Sequence, residues 1–295
     1  MDEPLGLPHV PGVEHRFVDA GGIRVHVAEA GSGAPLLLLH TTFQHWYAWH
    51  GLIPLLAERY RVICPDMRGC GWSDAPAEGY EKEALAADVL ALLDALGLER
   101  AGLMAHGLGG LVGFLAALEA PERISRYMPI GIVHPWLQMD LALAAGLWRS
   151  WYQPLVATPG LGPRVAGARW FLRWLLRGTS PHPDSWGDDD IDVYARALAE
   201  SARSEAMSLM YRAFLLRELV PLTRGRYRGR RLTVPTLLLF GAEDRFFSRR
   251  ALRGYEPHAP EMRIEFLEGE GHFVHKERPE LVATRALAFF RPMRG

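Results

Sequence analysis

Short, continuous apolar runs recur along the chain, and segments with helical spacing lie between them. The runs are APLLLLH (34–40), YRVICPD (60–66) and AGLMAH (101–106). Apolar residues at every position are typical of strands that are covered on both faces, as in a parallel sheet. Residues 81–97 and 108–119 instead carry apolar side chains at helical spacing. This alternation predicts an α/β protein with a mostly parallel sheet between two layers of helices.

The alternation stops between residues 135 and 221 and then resumes. This segment has Trp, Leu and Arg at helical spacing, without strand patterns, and is divided by the breaks TPGLGP and GTSPHPDSWGDDD. Strand patterns return with TLLLFG and RIEFLEG. We therefore expect a core built from residues 1–134 and 222–295, with residues 135–221 inserted into it as a helical cap.

Composition narrows the functional classes. A net charge of −1 over 295 residues gives no electrostatic attraction to nucleic acid or to an anionic membrane. No apolar run approaches the roughly 20 residues needed to span a bilayer, and the N-terminus lacks the pattern of a signal peptide. Two cysteines suggest neither a disulfide framework nor a zinc site. We expect a cytoplasmic protein with a small-molecule substrate and no cofactor; a homodimer is compatible with this composition.

Three polar motifs follow predicted strands. AHGLGG (105–110) follows AGLMAH, GAEDRFF with Asp244 follows TLLLFG, and GEGHF with His272 follows RIEFLEG. Open α/β sheets hold their ligands at the carboxyl ends of their strands, so these motifs should lie together. The order of sharp turn, acid and histidine along the chain is that of the α/β-hydrolase fold.

Over nearly its whole length the chain resembles the epoxide hydrolase and haloalkane dehalogenase branch of that superfamily. Those families carry G-H-D-W-G-G at the turn, with the aspartate as nucleophile. Here Ala105, His106, Gly107 and Leu108 occupy the corresponding places, so the resemblance puts Gly107 at the nucleophile position. PDMRGCGWSD (65–74) looks like the loop after the fourth strand, in which we expect a purely structural role for two residues, Asp66 and Arg68.

The predicted cap extends the resemblance. Epoxide hydrolases use two cap tyrosines as acids that bind the epoxide oxygen. Similarity places one at Tyr152, in WYQPLVATPGLGP, and the other at Tyr211, in MYRAFL. Phenols suit this role because they donate a hydrogen bond and can stabilise a developing alkoxide.

Two departures from the family pattern affect the expected chemistry. Gly107 cannot attack carbon, which excludes a covalent intermediate at this position. HTTF (40–43) replaces the usual H-G-x-P, and hydroxynitrile lyases of the same fold also have Thr after this His. We expect Gly107 to leave space for a reactant and His272 to act as a base oriented by Asp244. The residues expected to bind the substrate or its oxyanion are Thr41, Thr42, Trp46, His106, Leu108 and Trp136.

These residues leave three functions open. The first is non-hydrolytic acid–base chemistry, such as addition, C–C bond formation, cyclisation or lyase activity. Its substrate would be a polycyclic aromatic natural product with a carbonyl, quinone or epoxide group. The second is an epoxide hydrolase, either a nucleophile variant or an enzyme in which His272 activates water for direct attack. The third is a non-catalytic small-molecule receptor, which the pairing of His272 with Asp244 disfavours.

Overall fold

An eight-stranded sheet forms the centre of the computed structural model, which describes residues 6–137 and 147–291. The strands in sheet order are β1 (Glu14–Ala20), β2 (Ile23–Ala30), β4 (Tyr60–Pro65), β3 (Ala34–Leu39), β5 (Ala101–His106), β6 (Ile124–Ile130), β7 (Thr236–Gly241) and β8 (Met262–Leu267). β1 and β2 pair antiparallel, and β2 also pairs antiparallel with β4. The remaining neighbours are parallel, which confirms the predicted fold class.

Both faces of the sheet are covered. Every residue of β5 and β7 is buried, as their continuous apolar sequences predict. Successive side chains of a strand point to opposite faces. In β3, Leu37 and Leu39 belong to one core cluster, whereas Leu36 and Leu38 belong to the other.

The core helices flank this sheet. They are α1 (Ile53–Ala57), α2 (Lys82–Ala95), α3 (Gly107–Glu119), α10 (Val274–Glu277) and α11 (Pro279–Phe289). α2 and α3 pack against one face, and α1 and α11 pack against the other. A break at Arg278, whose backbone (φ −137°, ψ 61°) is not helical, separates α10 from α11. The cause is Pro279, because a proline disfavours the helical region for the residue before it.

Six α-helices lie between β6 and β7 in the described part of the chain. They are α4 (Tyr152–Ala157), α5 (Leu161–Ala166), α6 (Arg169–Leu176), α7 (Asp188–Ala199), α8 (Ser201–Ala213) and α9 (Leu219–Thr223). A π-helical turn, Phe214–Glu218, joins the last two. We call residues 147–223 the inserted helices. Residues 138–146 of the predicted cap lie outside the described residues.

The inserted helices have a core of their own, which is seated on the strand ends. Buried Phe171, Tyr194 and Met207 pack with Phe43 and Phe273, which belong to loops after β3 and β8. The inserted helices therefore cover the edge of the sheet where the polar motifs lie. Among the described residues, no helix is long and apolar enough to cross a membrane.

Candidate active site

The turn between β5 and α3 is built around Gly107. Its φ is 51°, in the left-handed region that glycine adopts without a Cβ clash. A Cβ added at this position would overlap Thr41 Oγ1 and lie 2.8 Å from Thr41 Cβ. The expectation that Gly107 leaves space for a reactant is therefore wrong at this point, because the side chain of Thr41 fills it.

Thr41 also accepts a hydrogen bond from the amide of Leu108, the second residue of α3. The backbone N–H of Leu108 donates to Thr41 Oγ1 at 3.0 Å. This amide, expected to bind an oxyanion, is therefore already satisfied by a hydroxyl of the protein. His40 fixes this loop through both ring nitrogens. Its Nδ1 donates to the carbonyl of Thr41 (2.8 Å), and its Nε2 accepts from the amide of Met67 (3.0 Å).

Phe43 shapes the same loop through an uncommon backbone conformation. Its φ is 62°, and a non-glycine residue held there stores roughly 1–3 kcal/mol of strain. The buried ring stacks on Tyr211, with centroids 5.6 Å apart, and the Phe43 amide contacts Met207 Sδ at 3.4 Å. Packing against α8 therefore fixes the loop that carries Thr41 and Thr42.

His272 and Asp244 form a hydrogen-bonded pair beside this turn. Asp244 lies after β7 and His272 after β8, and Asp244 Oδ2 is 2.8 Å from His272 Nδ1. Asp244 Oδ1 accepts the amides of Phe246 (2.7 Å) and Phe247 (3.0 Å), which fixes the carboxylate. Because Nδ1 donates to a carboxylate, Nε2 of the neutral ring keeps its lone pair and can act as a base.

Two residues behind His272 hold its backbone. Gly131, at the end of β6, has a φ of 58°, and a Cβ there would lie 2.9 Å from the His272 carbonyl. His106 is fully buried, and its Nε2 donates to the same carbonyl at 3.0 Å. Burial lowers the pKa of His106 well below its usual value, so the ring is neutral. The expectation that His106 binds substrate is corrected: it supports the histidine loop.

The two predicted tyrosines come from the inserted helices. Tyr152 begins α4 and Tyr211 lies in α8, and their ring centroids are 5.9 Å apart. The hydroxyls of Tyr211 and Thr42 are 2.9 Å apart. Burial raises the pKa of Tyr152, and it raises the pKa of Tyr211 well above the usual value. Both phenols are therefore protonated and able to donate a hydrogen bond.

One cavity joins these groups. Its volume is about 660 Å³, including its open mouth. The predicted residues that line it are Thr41, Thr42, Gly107, Leu108, Tyr152, Tyr211 and His272. The lining residues that the sequence analysis did not identify are Lys82, Leu111, Ile132, Ser150, Gln153, Met210, Phe214, Phe246 and Phe247. Phe246 and Phe247 directly follow the Asp244 turn, and Lys82 is one of only two lysines in the chain, so all three residues carried a signal.

Two tryptophans expected at the site lie elsewhere. Trp46 is buried among His15, His26 and Tyr47, and its amide donates to Asp66 Oδ1 at 2.7 Å. Trp136 stacks on a histidine, His258, and its Nε1 donates to backbone carbonyls after α9. Both serve packing in the core rather than the cavity.

Lys82, one of the lining residues of the cavity, forms a largely buried ion pair with Glu218. Lys82 Nζ is 2.7 Å from Glu218 Oε2 and donates to the carbonyl of Met210 at 3.1 Å. Glu218 Oε1 also accepts the backbone amide of Lys82, at 2.6 Å. The pair thereby ties the first turn of α2 to the π-helical turn of the inserted helices.

Breaking this pair should destabilise the protein. Lys82→Met leaves the largely buried Glu218 carboxylate without its cationic partner, which costs about 3–5 kcal/mol of unfolding free energy. Urea denaturation followed by circular dichroism measures the loss of unfolding free energy. Arg217→Met is the control, because its pair with Glu81 is exposed and contributes about 0–1 kcal/mol. Equal losses in the two variants would contradict the assignment.

The parallel sheet, the acid–histidine pair after its last two strands and the sharp strand–turn–helix at residue 107 define an α/β-hydrolase. Residues 34–279 match the family model described as alpha/beta hydrolase fold, and the chain belongs to that family.

Comparison with individual proteins gives a finer relationship. The chain is 31% identical over 292 residues to a soluble epoxide hydrolase of Corynebacterium sp. (strain C12), covering 96% of this chain and 99% of that one. It is 29% identical to a fluoroacetate dehalogenase of Burkholderia sp., covering 96% of each chain. The crystal structure of Cfl2 from Burkholderia cenocepacia superposes with a TM-score of 0.85 at 30% identity, covering 95% of this chain and 96% of that one. Epoxide hydrolases and dehalogenases are thus among its homologues.

Proposed function

We propose that this protein is an epoxide hydrolase in which His272 activates water for direct attack, with Gly107 at the position of the nucleophile. The observation that carries the proposal is one cavity lined by both a His base and two protonated phenols. No carboxylate is among its described lining residues. The homologues support hydrolysis, the second of the three functions considered, and give no support to the non-hydrolytic biosynthetic one.

The proposed reaction balances without a covalent intermediate. Water oxygen attacks a ring carbon of the epoxide while one water proton moves to His272 Nε2. The ring C–O bond breaks, and its oxygen takes a proton from Tyr152 or Tyr211. Asp244 stabilises the imidazolium, and the proton then returns to the phenolate through solvent in the cavity. The sum is epoxide plus water giving a vicinal diol.

Residues 135–221 would act as the cap that brings the phenols over the base. The substrate would be a small apolar epoxide, since most of the lining beyond the polar groups is apolar. These residues are Leu108, Leu111, Ile132, Met210, Phe214, Phe246 and Phe247. An apolar lining excludes bulk water and strengthens the polar contacts inside it.

A single turnover in H2¹⁸O tests the proposal. With enzyme in excess over a styrene-oxide probe, direct attack puts one solvent ¹⁸O into the diol in the first turnover. A carboxylate nucleophile would instead deliver a protein oxygen first, so the diol would contain none. Mass spectrometry of the quenched diol distinguishes the two. An unlabelled diol would reject direct water attack, and absence of any diol across aryl and alkyl epoxides would reject hydrolysis.

The raised phenol pKa values predict the alkaline side of the pH–rate profile. A phenol is lost as a donor only above its pKa in the folded protein, which lies above the usual value of about 10 for both tyrosines. Because both phenols keep their protons below that pKa, kcat/KM should not fall between pH 8 and about pH 10. Steady-state rates with a stability check at each pH measure it.

Two tyrosine-to-phenylalanine variants test separately whether a phenol in the cavity acts as the acid. Tyr211→Phe should lower kcat about 10²-fold, the usual effect of removing a donor to a developing oxyanion. Tyr194→Phe should have little effect, because this buried hydroxyl has no described hydrogen-bond partner and does not line the cavity. A decline in rate that begins below about pH 10 would contradict the assignment of the phenols as acids.

A further inference from the structure

We propose that the hydroxyl of Thr41 positions the attacking water, in place of the side chain that Gly107 lacks. This inference rests on the proposed hydrolysis of an epoxide. It assigns a role to a residue that departs from the family pattern, and it joins two departures, at positions 41 and 107, into one arrangement.

The first reason for this role is the limited space near the turn. A Cβ at residue 107 would overlap Thr41 Oγ1, so Thr41 and a side chain at 107 cannot both keep these positions. Thr41 Oγ1 therefore stands where the root of a nucleophile at 107 would be. Thr41, Gly107 and His272 all line the same cavity, so the hydroxyl and the base face one common space.

The second reason is the hydrogen-bonding capacity of the Thr41 hydroxyl. Leu108 N–H donates to Thr41 Oγ1, which uses one lone pair and leaves the hydroxyl proton and the other lone pair. This amide is at the N-terminus of α3, a helix of 13 residues, where the positive end of the helix dipole lies. A hydroxyl that accepts from such an amide is a stronger donor than a free one. It is suited to hold a water molecule by hydrogen bonding.

Bond chemistry excludes the alternative that Thr41 is itself the nucleophile. Attack of Thr41 Oγ1 on an epoxide carbon would form a C–O–C ether on the protein. Water attack on that ether would have to expel an alkoxide, and the ether has no carbonyl at which a tetrahedral intermediate could form. The enzyme would be alkylated once and would not turn over. A positioning role is the one compatible with a catalytic cycle.

Thr42 cannot replace Thr41 in this role. Its hydroxyl is 2.9 Å from that of Tyr211, and it thus belongs to the acid side of the cavity. Thr41 has no such contact with a tyrosine and is instead attached to the helix that starts at Gly107. The two adjacent threonines therefore serve opposite sides of the reacting epoxide.

Isosteric replacement tests the proposal. Thr41→Val keeps the shape and removes the hydroxyl, and we expect kcat on styrene oxide to fall about 10²-fold while KM changes less than about threefold. Thr41→Ser keeps the hydroxyl and should retain kcat within about fivefold of the wild-type value. Thr179→Val is the matched control, because this buried threonine bonds Leu175 O outside the cavity.

The outcomes separate this proposal from the hydrolase proposal. Diol formation by wild-type enzyme with unchanged kcat in folded Thr41→Val would overturn the role of Thr41 and leave hydrolysis standing. Equal losses of kcat in Thr41→Val and Thr41→Ser would also overturn it, since only packing would then matter. A wild-type protein inert towards epoxides would overturn both. Thr41→Ala replaces Thr41→Val if the latter does not fold, and it should likewise lose more than about tenfold in kcat.

Discussion

Replacing His272 with alanine should lower kcat for epoxide hydrolysis about 10²–10⁴-fold. The reason is that His272 Nε2 is the base in the cavity, with its proton on Nδ1 fixed by Asp244 at 2.8 Å. Without the imidazole, water must attack the ring as a neutral molecule that has nowhere to release its proton. Steady-state and single-turnover rates on styrene oxide measure the loss.

Two further variants show whether the loss of kcat comes from removing the base or from a general effect of losing a histidine. Asp244→Asn keeps the shape of the acid but removes the charge that stabilises the imidazolium, and should lower kcat by at least about 10²-fold. His258→Ala removes a histidine that stacks on Trp136 away from the cavity, and should leave kcat near the wild-type value. Retained turnover in His272→Ala would reject His272 as the base. Ligand binding without turnover in the wild type would favour a receptor.

Introducing a carboxylate at residue 107 should create a covalent enzyme only when the Thr41 side chain is removed at the same time. In Gly107→Asp, the new Cβ overlaps Thr41 Oγ1, so the variant should be strained and inactive as a nucleophile. In Thr41→Gly/Gly107→Asp the space is free, and Leu108 N–H is released to bind an oxyanion. The double variant should form an alkyl-enzyme ester, detected after acid quench as a mass gain equal to that of the epoxide.

The single variants are the controls for this experiment. Thr41→Gly alone should form no ester, because it lacks a carboxylate at the turn. Gly107→Asp alone should show a lower free energy of unfolding than the double variant, since relief of the overlap is specific to the pair. An ester formed as readily in Gly107→Asp as in the double variant would contradict the mutual exclusion of the two side chains.

The layout of the fold was predictable because its physical causes are local. Runs such as AGLMAH and TLLLFG are apolar at every position, and the structure buries each of them as a strand within the sheet. The order of turn, acid and histidine then specified which strand ends carry polar residues. The interruption of the last helix at Arg278 followed from Pro279, a local cause that the periodicity alone did not reveal.

The interior of the site was less predictable because its contacts join distant parts of the chain. Nothing near Gly107 in sequence indicates that Thr41 fills the adjacent volume. In the same way, a lone His106 after a strand does not reveal a bond to the carbonyl of His272, 166 residues away. Trp46 and Trp136 were expected at the site but lie in the core. Aromatic residues are abundant in cores, so composition alone does not separate packing from binding.

The contact between Thr41 and Gly107 also constrains the order in which this arrangement could arise by mutation. A threonine introduced at 41 while any side chain remained at 107 would overlap its Cβ. In such a chain the side chain at 107 would have to be lost first or at the same time. Once Thr41 is present, a change at 107 alone is penalised, so the arrangement resists single-step reversal. Positions 41 and 107, which look independent in the sequence, are thus coupled by one contact.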